Sequence, residues 1–138
     1  MHAFALPALA TVLAALLLGA LALNVGRQRI AHKLPPPRTE GPEPFLRAFR
    51  AQVNTTEQAV IFLPSMWVFA LFVHSQWAGA LGLLWVAARL VYAFGYQQGP
   101  AQRWPMRRYG FSIAFVISNV LAFGGLIGAV STLLMGQP

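Results

Sequence analysis

Between Glu57 and Arg89 the chain carries no Asp, Glu, Lys or Arg. That stretch is too long for one bilayer crossing, which takes about 20 residues of helix. The polar group His74-Ser75-Gln76 divides it, so it reads as the end of one membrane helix, a tight turn and most of another. An uncharged run rich in Ala and Leu, Phe4 to Val25, supplies an earlier span, and the apolar run that ends near Leu134 supplies a last one. In lipid, backbone N–H and C=O groups must be bonded within their own segment, so each span is expected to be helical. The expected fold class is all-α: an integral membrane four-helix bundle, a single domain over residues 1–138, with spans about 4–25, 45–73, 77–97 and 107–134. Only His2 precedes the first run, without a basic leader, which favours a retained helix over a cleaved signal peptide.

Composition agrees. The chain is 57% hydrophobic and 9% charged, whereas soluble domains carry about 25% charged residues. It has no cysteine, which excludes disulfides and a cysteine nucleophile. The net charge of +7 would suggest nucleic acid on a soluble protein. Here its placement gives another reason. Arg27, Arg29, Lys33, Arg38, Arg103, Arg107 and Arg108 fall in or beside the first and third connections, while the His74 turn has no Lys or Arg. The positive-inside rule then puts those connections in the cytoplasm and both termini outside. Nucleic acid is not an expected partner; membrane lipid is.

Gly26 to Pro44 holds five prolines and reads as a polar loop, as does Gln97 to Pro105, which carries Arg103. Pro64 falls inside the second span, where a kink is expected. Gly124 and Gly128 give a G-x-x-x-G spacing that allows close helix approach, within a subunit or between subunits. The three histidines are too scattered for a metal site, and no glycine-rich phosphate loop or nucleophile elbow is present.

The second span opens with a polar stripe. At about 100° per residue, Arg47, Arg50, Asn54 and Glu57 fall within roughly an 80° arc, with Gln58 beside them. In the third span Arg89, Tyr92 and Tyr96 share a face. Ionisable groups in a membrane cost about 2.5–3.5 kcal/mol each on insertion scales, and they usually face a bundle interior or a cavity. The plain structural reading pairs Glu57 with an arginine and seats the tyrosines in the interfacial belt. The functional reading is a small ligand: cations and amides suit carboxylates, and the glutamate suits an ammonium. A small multidrug antiporter would need an acid in its first span, and this chain has none there.

F-R-A-Q-V-N-T-T-E, followed by a Phe-Leu-Pro run, resembles the R-x-x-x-N-x-x-E signature of the membrane-associated proteins in eicosanoid and glutathione metabolism (MAPEG). A-R-L-V-Y-A-F-G-Y, with Arg103 seven residues after Tyr96, resembles the family's second block. The likeness is nearest to its leukotriene C synthases and microsomal glutathione transferases, and it covers roughly Arg29 to Arg103. It implies a homotrimer of four-helix subunits, with glutathione as co-substrate held between neighbours near the cytoplasmic side. Arg29, Arg50, Gln52, Asn54, Glu57, Tyr92 and Tyr96 match the family's glutathione contacts, and Arg103 matches the arginine that activates the thiol. Gln52 lies on the opposite side of its helix from Arg50, which a site between two subunits accommodates.

The implied activity is a glutathione transferase, with possible peroxidase chemistry, acting on hydrophobic, lipid-soluble electrophiles or lipid hydroperoxides. A non-catalytic lipid-binding scaffold on the same fold is the alternative. Two positions depart from the pattern. Ile30 stands where the leukotriene-forming branch has a second arginine, and Gln58 replaces a tyrosine. The first departure favours general transferase or peroxidase chemistry over leukotriene C synthesis. The Ala- and Arg-rich composition suggests a bacterial inner membrane, with the site facing the cytoplasm.

Overall fold

The structure, a computed structural model, describes residues 2–97 and 100–136, with side chains described for 3–97 and 105–136. After a short turn at His2–Phe4 come four helices: α1 (Ala5–Ala31), α2 (Glu43–Phe72), α3 (Ser75–Gln97) and α4 (Pro100–Met135). All four are long and apolar enough to cross a membrane. The chain is a multi-pass membrane protein built as an all-α four-helix bundle.

The helix ends differ from the sequence reading at two basic segments, and the prolines explain both. α1 continues past Val25 through Arg27 and Arg29 to Ala31, because the first proline after it is Pro35 and nothing earlier breaks the helix. It closes at Lys33, whose φ of 53° is left-handed, with Leu34 N–H donating to the Arg29 carbonyl at 2.9 Å. α4 begins at Pro100, so the expected loop around Arg103 is helical from that point. A proline suits the first helical position, where its missing N–H would be unbonded anyway. Pro105 lies inside α4 close to its start and leaves only the first-turn carbonyl of Ala101 without its helical partner. α2 likewise passes through Pro64 and runs on to Phe72.

α2 starts favourably. Pro42 is extended, Pro44 occupies the first turn, and Glu43 faces the positive helix end, where Arg47 joins it at 2.7 Å. Its buried stripe is Phe45, Ala48, Ala51, Thr55, Ala59, Phe62, Met66 and Ala70. α1 presents Ala10, Ala14, Leu17 and Leu21 to the same core, and α4 presents Ala114, Ile117 and Leu121. The centre is a parallel stack of Phe62 on Trp85, ring centroids 4.1 Å apart and both side chains wholly buried.

The small residues on α4 pack within the subunit. Gly124 faces the Phe69 ring, and Gly128 lies against Val73 and the Phe72 carbonyl, all at the end of α2. The G-x-x-x-G face is therefore spent on α2 and lends no support to assembly between subunits. Leu16, Leu23, Val60, Ile61, Leu71, Phe123 and Ile127 are exposed, as lipid-facing side chains are.

Two glycines bring α3 and α4 into backbone contact at the basic end. A Cβ on Gly95 would lie 2.8 Å from Arg107 N, and one on Gly110 would lie 2.6 Å from Ala88 O and 2.7 Å from Tyr92 N. That approach fixes where the tyrosines of α3 meet the arginines of α4.

Candidate functional site

The arrangement is built from an α-helical arginine that lipid would reject. Arg89 is wholly buried between α2 and α3. Its Nη2 donates to Thr55 Oγ1 at 2.7 Å, and Thr55 donates in turn to the Ala51 carbonyl at 2.7 Å. Its guanidinium carbon lies 3.9 Å from the centroid of the Tyr92 ring, a cation–π contact that is strong when desolvated. Nε and Nη1 are buried with no hydrogen-bond partner among the described residues. Neither α3 nor α4 contains an Asp or Glu, so the interior here is electropositive.

Tyr92 is the hinge of the cluster. Its ring covers Arg89, and its hydroxyl accepts a hydrogen bond from Asn54 Nδ2 at 2.7 Å. Tyr92 is 3% exposed and packs inside the bundle, so it is no interfacial belt residue. Tyr96 meets it edge to face, centroids 5.2 Å apart, and Arg107 of α4 lies 5.2 Å from the Tyr96 centroid. Cation, ring, ring and cation thus run from the core to the surface. At the outer end Tyr92, Tyr96, Arg107, Arg108 and Phe111 line a cavity of about 330 Å³.

Of the residues singled out in the sequence, Asn54, Arg89, Tyr92 and Tyr96 come together in this one subunit. Arg29, Arg50, Gln52 and Glu57 do not join them. Arg50 and Glu57 are exposed on α2, and Gln52 is half-buried on another side. The stripe seen at helical spacing therefore divides: Asn54 turns to α3, Arg47 pairs with Glu43, and Arg50 and Glu57 face outward. The small residues of α2 take the tight interior positions instead. The ion pair at this end is Arg47–Glu43; Glu57 makes none among the described residues. Arg29 sits in the last turn of α1, donating from Nη1 to the Arg38 carbonyl at 2.7 Å and lying 4.9 Å from the Phe45 centroid. Arg103 lies in the first turns of α4, and its side chain falls outside the described residues.

Sequence reasoning grouped Arg89 with the tyrosines but missed Thr55. A signal was present: Thr55 is the hydroxyl in the row Ala48, Ala51, Thr55, Ala59, spaced to face one neighbour. Thr55→Val keeps the shape and removes the acceptor. Leaving the buried guanidinium without that bond is expected to cost about 1.5–3 kcal/mol. Thermal unfolding in detergent checks this; an unchanged midpoint would mean that Arg89 finds another acceptor.

A four-helix membrane protein with an Asn–Tyr pair and a buried arginine at one end of the bundle is thereby defined. The chain belongs to the MAPEG family, whose sequence pattern matches residues 7–127. An uncharacterized protein of Synechocystis sp. is 40% identical over 121 residues, covering 88% of this chain and 85% of that one. Leukotriene C4 synthase of Cavia porcellus is 40% identical over 99 residues, 72% of this chain and 66% of that protein. Microsomal glutathione S-transferase 2 of Mus musculus is 34% identical over 113 residues, 82% of this chain and 74% of that one.

Proposed function

We propose that this protein is a membrane-bound glutathione transferase, with accompanying peroxidase chemistry, that presents glutathione as its thiolate to lipid-soluble electrophiles. The observation that carries the reading is the Asn54–Tyr92 hydrogen bond at 2.7 Å. It joins the two sequence blocks that resemble the family's glutathione contacts, and its relatives include proteins named as glutathione transferases.

In this reading Arg50, Gln52, Asn54, Glu57, Tyr92, Tyr96 and Arg29 hold glutathione, and Arg103 lies beside its sulfur. The exposure of Arg50 and Glu57 supports a site completed by a neighbouring copy in a homotrimer. Basic residues at one end of the bundle support a site that faces the cytoplasm, and the Ala- and Arg-rich composition favours a bacterial inner membrane. Glutathione arrives from water, and the apolar substrate arrives by partition into lipid.

The chemistry follows from charge. A free thiol has a pKa of about 8.5, and its anion is the nucleophile. A fixed guanidinium in a site shielded from water favours the anion, and a shift of about two units corresponds to about 2.7 kcal/mol. The thiolate attacks carbon, forming C–S as the leaving group departs with its electron pair. With a hydroperoxide it attacks the distal oxygen, releasing an alcohol, and a second glutathione completes reduction to water and glutathione disulfide.

The test is turnover. Purified protein in detergent should conjugate glutathione to a chlorodinitrobenzene-type electrophile, saturably in glutathione. Saturable glutathione binding without product would favour the lipid-binding scaffold instead.

A further inference from the structure

Arg89 is a buried cation that the subunit does not neutralise. The chain's three acidic side chains are Glu40, Glu43 and Glu57. Glu40 is exposed on the connection between α1 and α2, and Glu43 is exposed at the start of α2, where it holds Arg47. Glu57 is exposed on α2. It follows Thr55 by two residues and so lies about 160° around the helix from the side that meets Arg89. The guanidinium donates to Thr55 Oγ1, while its Nε and Nη1 find no hydrogen-bond partner among the described residues. Both atoms are buried within the subunit, which shields them from the side chains of a neighbouring copy.

Stability alone does not call for such a group. An apolar side chain of similar volume in place of a buried charge is often neutral or stabilising. Ionisable groups at membrane depth are costly and mark function. The charge acts outward through Tyr92. The ring lies over the guanidinium, 3.9 Å from its carbon to the centroid, and the hydroxyl at the far end of that ring accepts from Asn54 Nδ2 at 2.7 Å. A phenol that accepts a hydrogen bond still has its own proton to give. Asn54 and Tyr92 are among the residues to which the transferase reading gives glutathione, and both ends of glutathione carry carboxylates. A carboxylate oxygen accepting from the Tyr92 hydroxyl lies within about 10 Å of the buried charge. At an effective dielectric of about 20, a unit charge at that distance changes an anion's affinity about tenfold or more.

We propose that Arg89 is a positioning residue for glutathione: its unbalanced charge, acting through the Tyr92 ring, holds the Tyr92 hydroxyl as a donor to a glutathione carboxylate. The inference rests on the transferase reading for its ligand and adds to it a residue that touches no substrate. The charge that destabilises the empty protein strengthens the complex, because the arriving carboxylate balances it.

The experiment uses S-methylglutathione, which keeps both carboxylates and has no thiol to ionise, so thiol activation by Arg103 does not enter. Binding is measured by calorimetric titration of the full-length protein in detergent, and the thermal midpoint is recorded without ligand. Arg89→Met is expected to melt at or above the unaltered protein's midpoint and to bind S-methylglutathione at least about tenfold more weakly. Arg89→Lys is expected to bind within about threefold of the unaltered protein at pH 6, where a buried lysine keeps more of its charge. The diethyl ester of S-methylglutathione should bind the unaltered protein and Arg89→Met alike. Arg89→Met that binds as tightly as the unaltered protein would overturn the proposal. So would a markedly lower ligand-free midpoint in Arg89→Met, which would make Arg89 a structural residue. Arg89→Lys binding as weakly as Arg89→Met at pH 6 would show that charge is not what acts, and a tenfold gap that persists with the diester would show that it does not act on a carboxylate; each overturns the proposal too. All of these results leave the transferase reading standing. An unaltered protein that binds neither glutathione nor its S-methyl form would end that reading and this inference with it.

Discussion

Arg103→Ala is expected to slow glutathione conjugation about 25-fold at neutral pH, with a deficit that closes as the pH rises. The proposed guanidinium holds the bound thiol about two units below its free value of about 8.5, so near pH 7 most of it is ionised. Without the cation the pKa returns toward 8.5, and only about 3% is thiolate at pH 7. The sign is fixed: the variant's rate should rise about tenfold per pH unit and level off near the free thiol's pKa, where the unaltered enzyme is already flat. The lower intrinsic nucleophilicity of a low-pKa thiolate trims the gap slightly. Arg103→Lys should fall between the two, since it keeps a charge but not the planar fork. Rates measured from about pH 6 to 9 check this. Parallel profiles for Arg103→Ala and the unaltered protein would remove Arg103 from thiol activation.

Gly110→Val is expected to be among the most damaging single changes in the fold. Its Cβ would meet Ala88 O at 2.6 Å, Tyr92 N at 2.7 Å and Tyr92 Cα at 2.9 Å. All three atoms are backbone, so no rotamer change relieves the clash, and α3 must part from α4. Overpacking of this kind costs about 3 kcal/mol or more. The parting occurs at Tyr92, so the Asn54 bond and the Arg89 stack should fail with it. A thermal midpoint in detergent about 10 °C lower is expected. Gly19→Ala is the matched control: nothing lies within 4 Å of its Cβ, and alanine suits a helix better by about 0.5–1 kcal/mol. A Gly110→Val protein that melts with the unaltered one would show that α3 and α4 do not touch as described.

Most of the architecture is legible in the sequence. Long uncharged runs specify helices because lipid admits only helices and closed barrels, and a barrel strand needs just about 10 residues. The turn at His74 was readable too: α2 ends at Phe72 and α3 begins at Ser75. Helix ends in the basic segments were not. Proline and arginine density reads as loop, but at Pro100 and Pro105 the ring sits early in a helix, where it is tolerated. The division of the α2 stripe was also hidden. Spacing puts Arg50, Asn54 and Glu57 on one side, but which residues turn inward depends on what α3 offers. Tyr92 takes Asn54, while Thr55, roughly 150° around the helix from Arg50 and Glu57, takes Arg89. Periodicity ranks faces and does not name partners. The small-residue run at Gly124–Gly128 carried the same ambiguity, and only Phe69 and Val73 resolve it.

Central to the account is that glutathione sits in this protein with its sulfur ionised. Adding glutathione to the pure protein near pH 7 and recording the ultraviolet difference spectrum measures that species directly. The account predicts a thiolate band that saturates with glutathione, appears in the unaltered protein and is lost in Arg103→Ala. Saturable binding with no such band, or a band of equal strength without Arg103, would contradict it.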